Sequence, residues 1–377
     1  MSNADKPDPE VVYPKSFEDL ILEVHQKGIC GQCGGCVSFC SAGDLKAIQI
    51  PEDGPPIYIH QDKCIHCGIC YLICPQVHVL DSEIKTTFNW KFPIGNWTHC
   101  ASAQAKSKEI KDVATDGGVV TAILMYLLEK KLINGAIVTK KAGLFGRESF
   151  FATTKKDLLE AAGSKYDLPT QILDYGKYST FTPVVIGLKE IMDTERMNIA
   201  VVGTPCQIFS IRKMQQLKIL PAHVIKYAFG LFCYENFMFS AETWKKMENK
   251  FHFSINNLEK MNIKEDVIFY RRKGEPIHIK FSDMEEFMRP ACTACNDFSN
   301  FYSDISFGGL GSKEGFTTIL TRTKLGSQIY EKALNAGYIV ESPEDNTSVL
   351  KSQKLAKIIT FAKMKMKRAE KTLAEKS

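Results

Sequence analysis

The stretch that decides the fold is NIAVVGTPCQIFSIRKMQQL, residues 198–217, read together with VIKYAFGLFCYE, residues 224–235. Ile199 to Val202 form a short apolar run of the kind that makes a buried strand, and the second stretch opens on another. Between them TPCQ reads as a helix start, with Thr204 as cap, Pro205 at the first helical position and Gln207 completing a capping box. A strand, a crossover helix and a strand of this length predict a parallel pair within an α/β domain. Cys206 then falls just past the end of one strand and Cys233 at the end of the next. Neighbouring parallel strands put both on one rim, the edge at which open α/β sheets bind ligands. A thiol at a helix N-terminus can be a nucleophile, a redox thiol or a metal ligand, and the local sequence leaves the three open.

Working outward, DGGVVTAILMYLLEKK, residues 116–131, is apolar almost all round and predicts a buried helix, with NGAIVTK supplying a turn and a strand after it. Upstream, FEDLILEVHQKG gives a polar arm a short helical patch that Gly28 closes. AIQI, a turn at PEDGPP and IYIH predict a hairpin. The expected division is an arm at 1–27, a small cysteine-rich α+β domain at 28–85, an α/β domain at 86–350 and a basic amphipathic helix at 351–377. In that last segment Leu355, Ile358, Ile359, Ala362, Met366 and Ala369 share a helical stripe. The stripe suits docking on its own domain with a solvated basic face; a partner or an anionic membrane surface is the alternative.

At 377 residues with 44% hydrophobic and 24% charged, the chain has room for two or three cores. Its net charge of +5 misleads, because residues 351–377 hold nine basic and two acidic side chains, leaving the rest at −2. A nearly neutral body argues against a nucleic-acid face. The longest apolar run, ten residues from Val119 to Leu128, falls short of the roughly 18 needed to span a membrane. The polar, Pro-bearing start lacks the apolar core of a signal peptide, so the expected location is the cytoplasm, free or peripheral on a membrane complex.

Without an export signal, 13 cysteines point to metal or redox chemistry before disulfides. CGQCGGCVSFCS and CIHCGICYLICP both have the spacing C-x2-C-x2-C-x3-C. Three cysteines so spaced wrap one corner of a 4Fe–4S cluster, and the fourth, expected at the start of a helix, reaches a second cluster. The predicted wiring is crossed: Cys30, Cys33, Cys36 and Cys74 on one cluster, Cys64, Cys67, Cys70 and Cys40 on the other. Zinc, the rival, favours two separated ligand pairs. Gly34, Gly35 and Gly68 suit a backbone that curls close to an inorganic core. The first motif ends in Cys40-Ser41 where the second has Cys74-Pro75, which bears on local rigidity rather than on ligation. His66 reads as a surface residue and Cys100 as a core thiol.

The rim thiols Cys206 and Cys233, with Cys292 and Cys295 of ACTAC, make four thiolates, enough for a third cluster. A nucleophile or an inert buried thiol remains the rival reading of Cys206. Clusters move single electrons, and flavin is the usual converter to two-electron chemistry. TDGGVVT and SFGGLGSKEGFTTILTRT are Gly-rich segments that could cradle one, and AAGSKYD adds a cation. Neither glycine segment matches the G-x-G-x-x-G fingerprint. Asp116, Gly117, Gly118, Thr121, Lys165, Gly308, Gly309 and Gly311 are the expected cofactor contacts.

Taken in order, TDGGVVTAIL, AAGSKYD, GTPCQIFSIRKMQ, GLFCYENF, ACTACNDF and DISFGGLGSKEGFTTILTRT resemble the coenzyme F420 hydrogenase/dehydrogenase beta subunit family over roughly residues 97–375. That resemblance implies an α/β domain holding FAD and one 4Fe–4S cluster, the cluster positions corresponding to Cys206, Cys233, Cys292 and Cys295. A ferredoxin module ahead of such a domain looks most like the input subunit of the membrane-bound F420H2 dehydrogenase. The hydrogenase beta subunit lacks such a module, and similar modules occur in F420-dependent sulfite reductase and in heterodisulfide-reductase-linked complexes; the implied partners are subunits of a membrane-bound dehydrogenase, hydrogenase or heterodisulfide-reductase type of complex. The implied activity is oxidation of reduced coenzyme F420: hydride to FAD, then single electrons through three clusters to partner subunits. The alternatives are a ferredoxin-dependent flavin reductase of an organic substrate and a relay subunit without its own substrate site.

Overall fold

The computed structural model describes residues 14–42, 45–51, 54–142, 146–163, 178–179, 198–219, 222–239 and 241–376. Its centre is an eight-stranded mixed sheet. In spatial order the strands are Ile339–Glu341, His99–Ala105, Thr317–Thr321, Ile305–Gly308, Ile225–Leu231, Ile199–Gly203, Gly135–Ala142 and Gly146–Ala152. The four from Ile305–Gly308 to Gly135–Ala142 run parallel, and every other pairing is antiparallel. Parallel strands are buried on both faces, and Ala200, Val201, Ala228, Phe229, Ile305 and Phe307 are accordingly shut away from solvent. Each large apolar side chain so buried contributes about 1.5–3 kcal/mol.

The opening unit folds as its pattern dictates. Ile199–Gly203 and Ile225–Leu231 pair in parallel across the helix Pro205–Gln216, with Gly203 opposite Gly230. The Thr204 backbone N–H donates to Gln207 Oε1 at 2.8 Å, which fixes the chain's entry into that helix. Val119–Glu129 is the buried helix expected from its composition; Gly118, at φ +70°, turns the chain into it.

Between the rim and the Cys292 loop lies a subdomain that periodicity did not single out. The three-stranded antiparallel sheet Leu258–Ile263, Val267–Arg271 and Ile277–Ile279 packs with the helix Ala241–Phe251. Trp244, Met247, Leu258, Phe269 and Phe287 form its own apolar core.

The hairpin of the cysteine region is present, with Ile48 opposite Tyr58. Phe17, Leu20 and Val24 of the N-terminal patch pack into the same core as the cysteine loops. Contrary to the sequence-based expectation, the fourth cysteines do not begin helices. Cys40 lies in the last turn of Gly35–Ala42, and Cys74 follows Ile69–Leu72. The reason is the spacing itself: x3 places Cys40 and Cys74 four residues beyond Cys36 and Cys70, one helical turn on. Gly35 also serves another purpose than curling about a cluster. A Cβ there would meet Ser210 Oγ at 2.0 Å, so the glycine lets the cysteine region approach the Pro205–Gln216 helix.

The C-terminal helix, Ser348–Glu375, docks on this body through Ile358, Ala362 and Ala369. Its basic residues do not all face solvent. Lys354 and Lys365 share the buried face, at spacings of three and four from the apolar stripe. Among the described residues, no helix is long and apolar enough to cross a membrane.

Candidate functional site

The C-terminal ends of the parallel strands open into a cavity of about 370 Å³. Gly203, Leu231 and Gly308 come from those strand ends and Val138 from the middle of Gly135–Ala142, and the first turn of Val119–Glu129 forms another wall. The amides of that turn have no carbonyl acceptor within the helix, so they present N–H groups and the positive end of the helix dipole. Just ahead of them in the chain, Asp116 accepts from Asn262 Nδ2 at 3.0 Å and pairs with Lys264 Nζ at 3.3 Å. A mostly apolar hollow of this size, with few converging polar groups, is the usual form of a cofactor pocket, for which about 300–1,000 Å³ is typical.

Of the expected contacts, Asp116, Gly118, Thr121, Gly308 and Gly309 line this cavity. Gly117 and Gly311 stand behind it. A Cβ on Gly117 would meet Ala103 O at 2.6 Å, and one on Gly311 would meet Lys354 Cγ at 2.7 Å, so the fold's own packing requires both glycines. Lys165 lies outside the described residues. Sequence reading missed Asn262 and Lys264, which the three-stranded subdomain carries to the rim. The signal available was the hairpin pattern MNIKEDVIFY, two apolar runs about a charged turn.

Two smaller cavities, of about 30 Å³ each, collect the N-terminal cysteines. One is lined by Cys30, Cys33, Cys36 and Cys74, the other by Cys40, Cys64, Cys67 and Cys70. Each grouping takes three thiols from one motif and the fourth from the other. Among the described residues, no three His, Cys, Asp or Glu side chains gather tightly enough to grip a single metal ion. Quartets of thiols spread about a hollow suit a four-iron cluster better than zinc.

The rim supplies the third quartet. Cys206 lies within electrostatic reach of Cys295 and Cys233, and Cys233 within reach of Cys292 and Cys295. Burial pushes the Cys233 thiol up to about 12, Cys33 to about 11 and Cys74 to about 12, and raises Cys206 well above its ordinary value. Thiols raised in this way are not the low-pKa thiols of activated nucleophiles.

The sites share walls. Cys233 lines the large cavity as well as belonging to the rim quartet. Cys206, of the same quartet, lines the Cys30 cavity, and Cys36 of that cavity lies within electrostatic reach of Cys70 in the next. At the far end Cys67 is exposed, and His66 beside it stands 3.6 Å from Glu18.

Known proteins resemble this chain along most of its length. Residues 100–175 and 196–347 match the N-terminal and C-terminal models of the coenzyme F420 hydrogenase/dehydrogenase beta subunit, and residues 57–77 match a 4Fe–4S binding domain. The coenzyme F420-dependent sulfite reductase of Methanocaldococcus jannaschii is 30% identical over 83% of this chain, which spans 47% of that relative. One of the subunits of the F(420)H(2) dehydrogenase of Methanosarcina mazei is 27% identical over 86% of this chain and 88% of its own length. A chain of the F420-reducing NiFe hydrogenase complex from Methanosarcina barkeri superposes with a TM-score of 0.64 at 29% identity, covering 75% of this chain and 93% of that one. With a 4Fe–4S domain ahead of a mixed α/β domain, the chain belongs to the coenzyme F420 hydrogenase/dehydrogenase beta subunit family, whose members are oxidoreductase subunits.

Proposed function

We propose that this protein is an iron–sulfur flavoprotein that oxidises reduced coenzyme F420 and delivers single electrons to other subunits of an electron-transfer complex. The observation that carries this reading is the run of shared walls, from the rim cavity through Cys233 and Cys206 to the two N-terminal thiol quartets. FAD in the rim cavity would supply the conversion between a hydride and single electrons, and three 4Fe–4S clusters would supply the one-electron path.

The protein's own residues bind and orient. The first-turn amides at Gly118–Thr121 and the Lys264 ammonium suit the anionic part of a dinucleotide, while Leu231, Phe232 and Leu310 offer apolar walls for a ring system. No side chain in the cavity needs to act as a strong acid or base. The twelve cysteines in three quartets hold the clusters. The exposed Cys67 end is the natural docking point for a partner subunit, at a membrane complex or elsewhere. That same end would serve as an inlet for electrons from a ferredoxin, the specific feature behind the reverse, ferredoxin-driven reading.

The test is anaerobic purification of the full chain followed by stoichiometric addition of reduced F420. About twelve irons and one FAD per chain, with the flavin bleaching on addition, are expected. A flavin that stays oxidised under reduced F420 overturns the substrate assignment, and absence of FAD overturns the flavoprotein reading.

A further inference from the structure

Lys365 lies on the buried face of the C-terminal helix and is 1% exposed. Its Nζ donates to the carbonyl oxygens of Cys233 at 2.5 Å and Asp297 at 2.8 Å. Among the described residues, no carboxylate lies within ion-pairing distance of it. The Asp297 carboxylate is turned elsewhere, accepting the backbone N–H groups of Asn300 at 2.7 Å and Phe301 at 2.8 Å. An ammonium buried without a direct ion-pair partner is costly. The other buried lysines are accommodated differently. Lys213 has Asp81 at 3.4 Å, and Lys354 donates to the Ser102 hydroxyl.

What surrounds Lys365 is thiols. Cys295, Cys233 and Cys292 all lie within electrostatic reach of its Nζ, as does the Asp297 carboxylate. Arg289 is a second buried cation at this junction; it donates to the Gln32 side chain beside the Cys30 loop and lies within electrostatic reach of Cys292. Arg368, one turn beyond Lys365, donates to Cys292 O at 3.4 Å and pairs with Glu235 at 2.7 Å. Glu235 thus pairs with Arg368, and among the described residues no carboxylate forms a direct ion pair with Lys365.

We propose that the Lys365 ammonium is the counter-charge of an anionic iron–sulfur group held by Cys206, Cys233, Cys292 and Cys295, and that it sets how readily that group accepts an electron. This rests on the third-cluster reading above. Accepting one electron adds one negative charge to the quartet, moves no proton and makes no covalent bond; the donor is the flavin chemistry already assigned. A fixed positive charge beside the quartet favours the reduced state, so Lys365 makes this centre easier to reduce than its ligands alone would. Lys365 touches ligand backbone rather than substrate, and is a positioning and charge-setting residue.

The test compares the full chain with Lys365→Met, Lys365→Arg and Lys363→Met, the last removing an exposed charge from the same helix. Each protein is purified anaerobically, its iron counted, and its clusters titrated by EPR against electrode potential. The expected result is about twelve irons throughout. In Lys365→Met one of the three clusters has its reduced-to-oxidised ratio lowered at least tenfold at a fixed potential, equivalent to a fall of about 59 mV, while Lys363→Met shifts none. No greater shift in Lys365→Met than in Lys363→Met overturns the proposal. Should Lys365→Met hold about eight irons, twelve in Lys365→Arg supports the role of charge, and eight in both overturns it. Eight irons in the unaltered chain instead removes the third cluster itself, a separate failure read from a separate number.

Discussion

Gly31 and Cys206 stand face to face across the junction of two thiol quartets: a Cβ on Gly31 would lie 3.8 Å from both the Cβ and the Sγ of Cys206. One glycine in a ferredoxin-like loop thus lets a rim cysteine of the α/β domain come into contact with it. A single methyl fits at ordinary contact distance, so Gly31→Ala should leave stability and iron content unchanged. Gly31→Leu forces a larger group into the same gap and should cost about 1–3 kcal/mol, measured by denaturant unfolding under anaerobic conditions.

Gly117 tests what the glycine-rich turn is for. A Cβ there would lie 2.6 Å from Ala103 O and 2.8 Å from the Thr317 amide, both backbone atoms that cannot yield easily. Gly117→Ala should lower stability by about 1–3 kcal/mol, while any FAD retained by the folded fraction stays bound with unchanged affinity. A selective loss of FAD at full stability would assign Gly117 to the cavity instead.

How much of this was legible in the sequence follows from where the chemistry lies. The N-terminal quartets can be read from spacing, since a loop around a four-iron core fixes the intervals between its ligands, and the rim pair Cys206 and Cys233 can be read from two apolar strand ends. Lys264 and Asn262 could not be placed this way, because their short hairpin is brought to the cavity by tertiary packing rather than by any local pattern. Lys365 was hidden by its type: a lysine on an amphipathic helix reads as solvated, and the carbonyls of Cys233 and Asp297 that receive its ammonium are brought to it by tertiary packing. The glycines were legible as turns, but whether each cradles a ligand or its own fold depends on contacts far along the chain, such as Gly311 with Lys354.

Lys264 lines the cavity and pairs with Asp116 at 3.3 Å, just ahead of the Val119–Glu129 helix. Lys264→Met should weaken FAD retention about tenfold, the effect of losing one charge-assisted hydrogen bond. Equilibrium dialysis of the flavin measures it. Equal retention in variant and parent would remove Lys264 from the cofactor's surroundings.

Glu341 supplies a pH prediction away from the clusters. Its carboxylate accepts from the Tyr330 hydroxyl at 2.6 Å and Asn346 Nδ2 at 2.9 Å and meets His99 Nε2 at 3.3 Å. These contacts, His99 foremost, hold its pKa down at about 2. Because the folded pKa lies below the unfolded one, the contribution is complete above about pH 4.5 and is lost as the pH falls towards 2. With the site partly solvated, Glu341→Gln should cost about 1 kcal/mol at pH 7, and the gap between variant and parent should narrow below pH 4. A gap independent of pH would show that charge plays no part.

Among the described residues, the rim quartet stands between the large cavity and the N-terminal quartets, and the proposed electron path runs through it. Cys206→Ser, reduced anaerobically with F420 and followed by rapid-freeze EPR beside flavin absorbance, tests it most directly. The flavin should bleach as in the parent while the two N-terminal clusters remain oxidised. Reduction of those clusters at the parent's rate, in a variant lacking the rim cluster, would contradict the account.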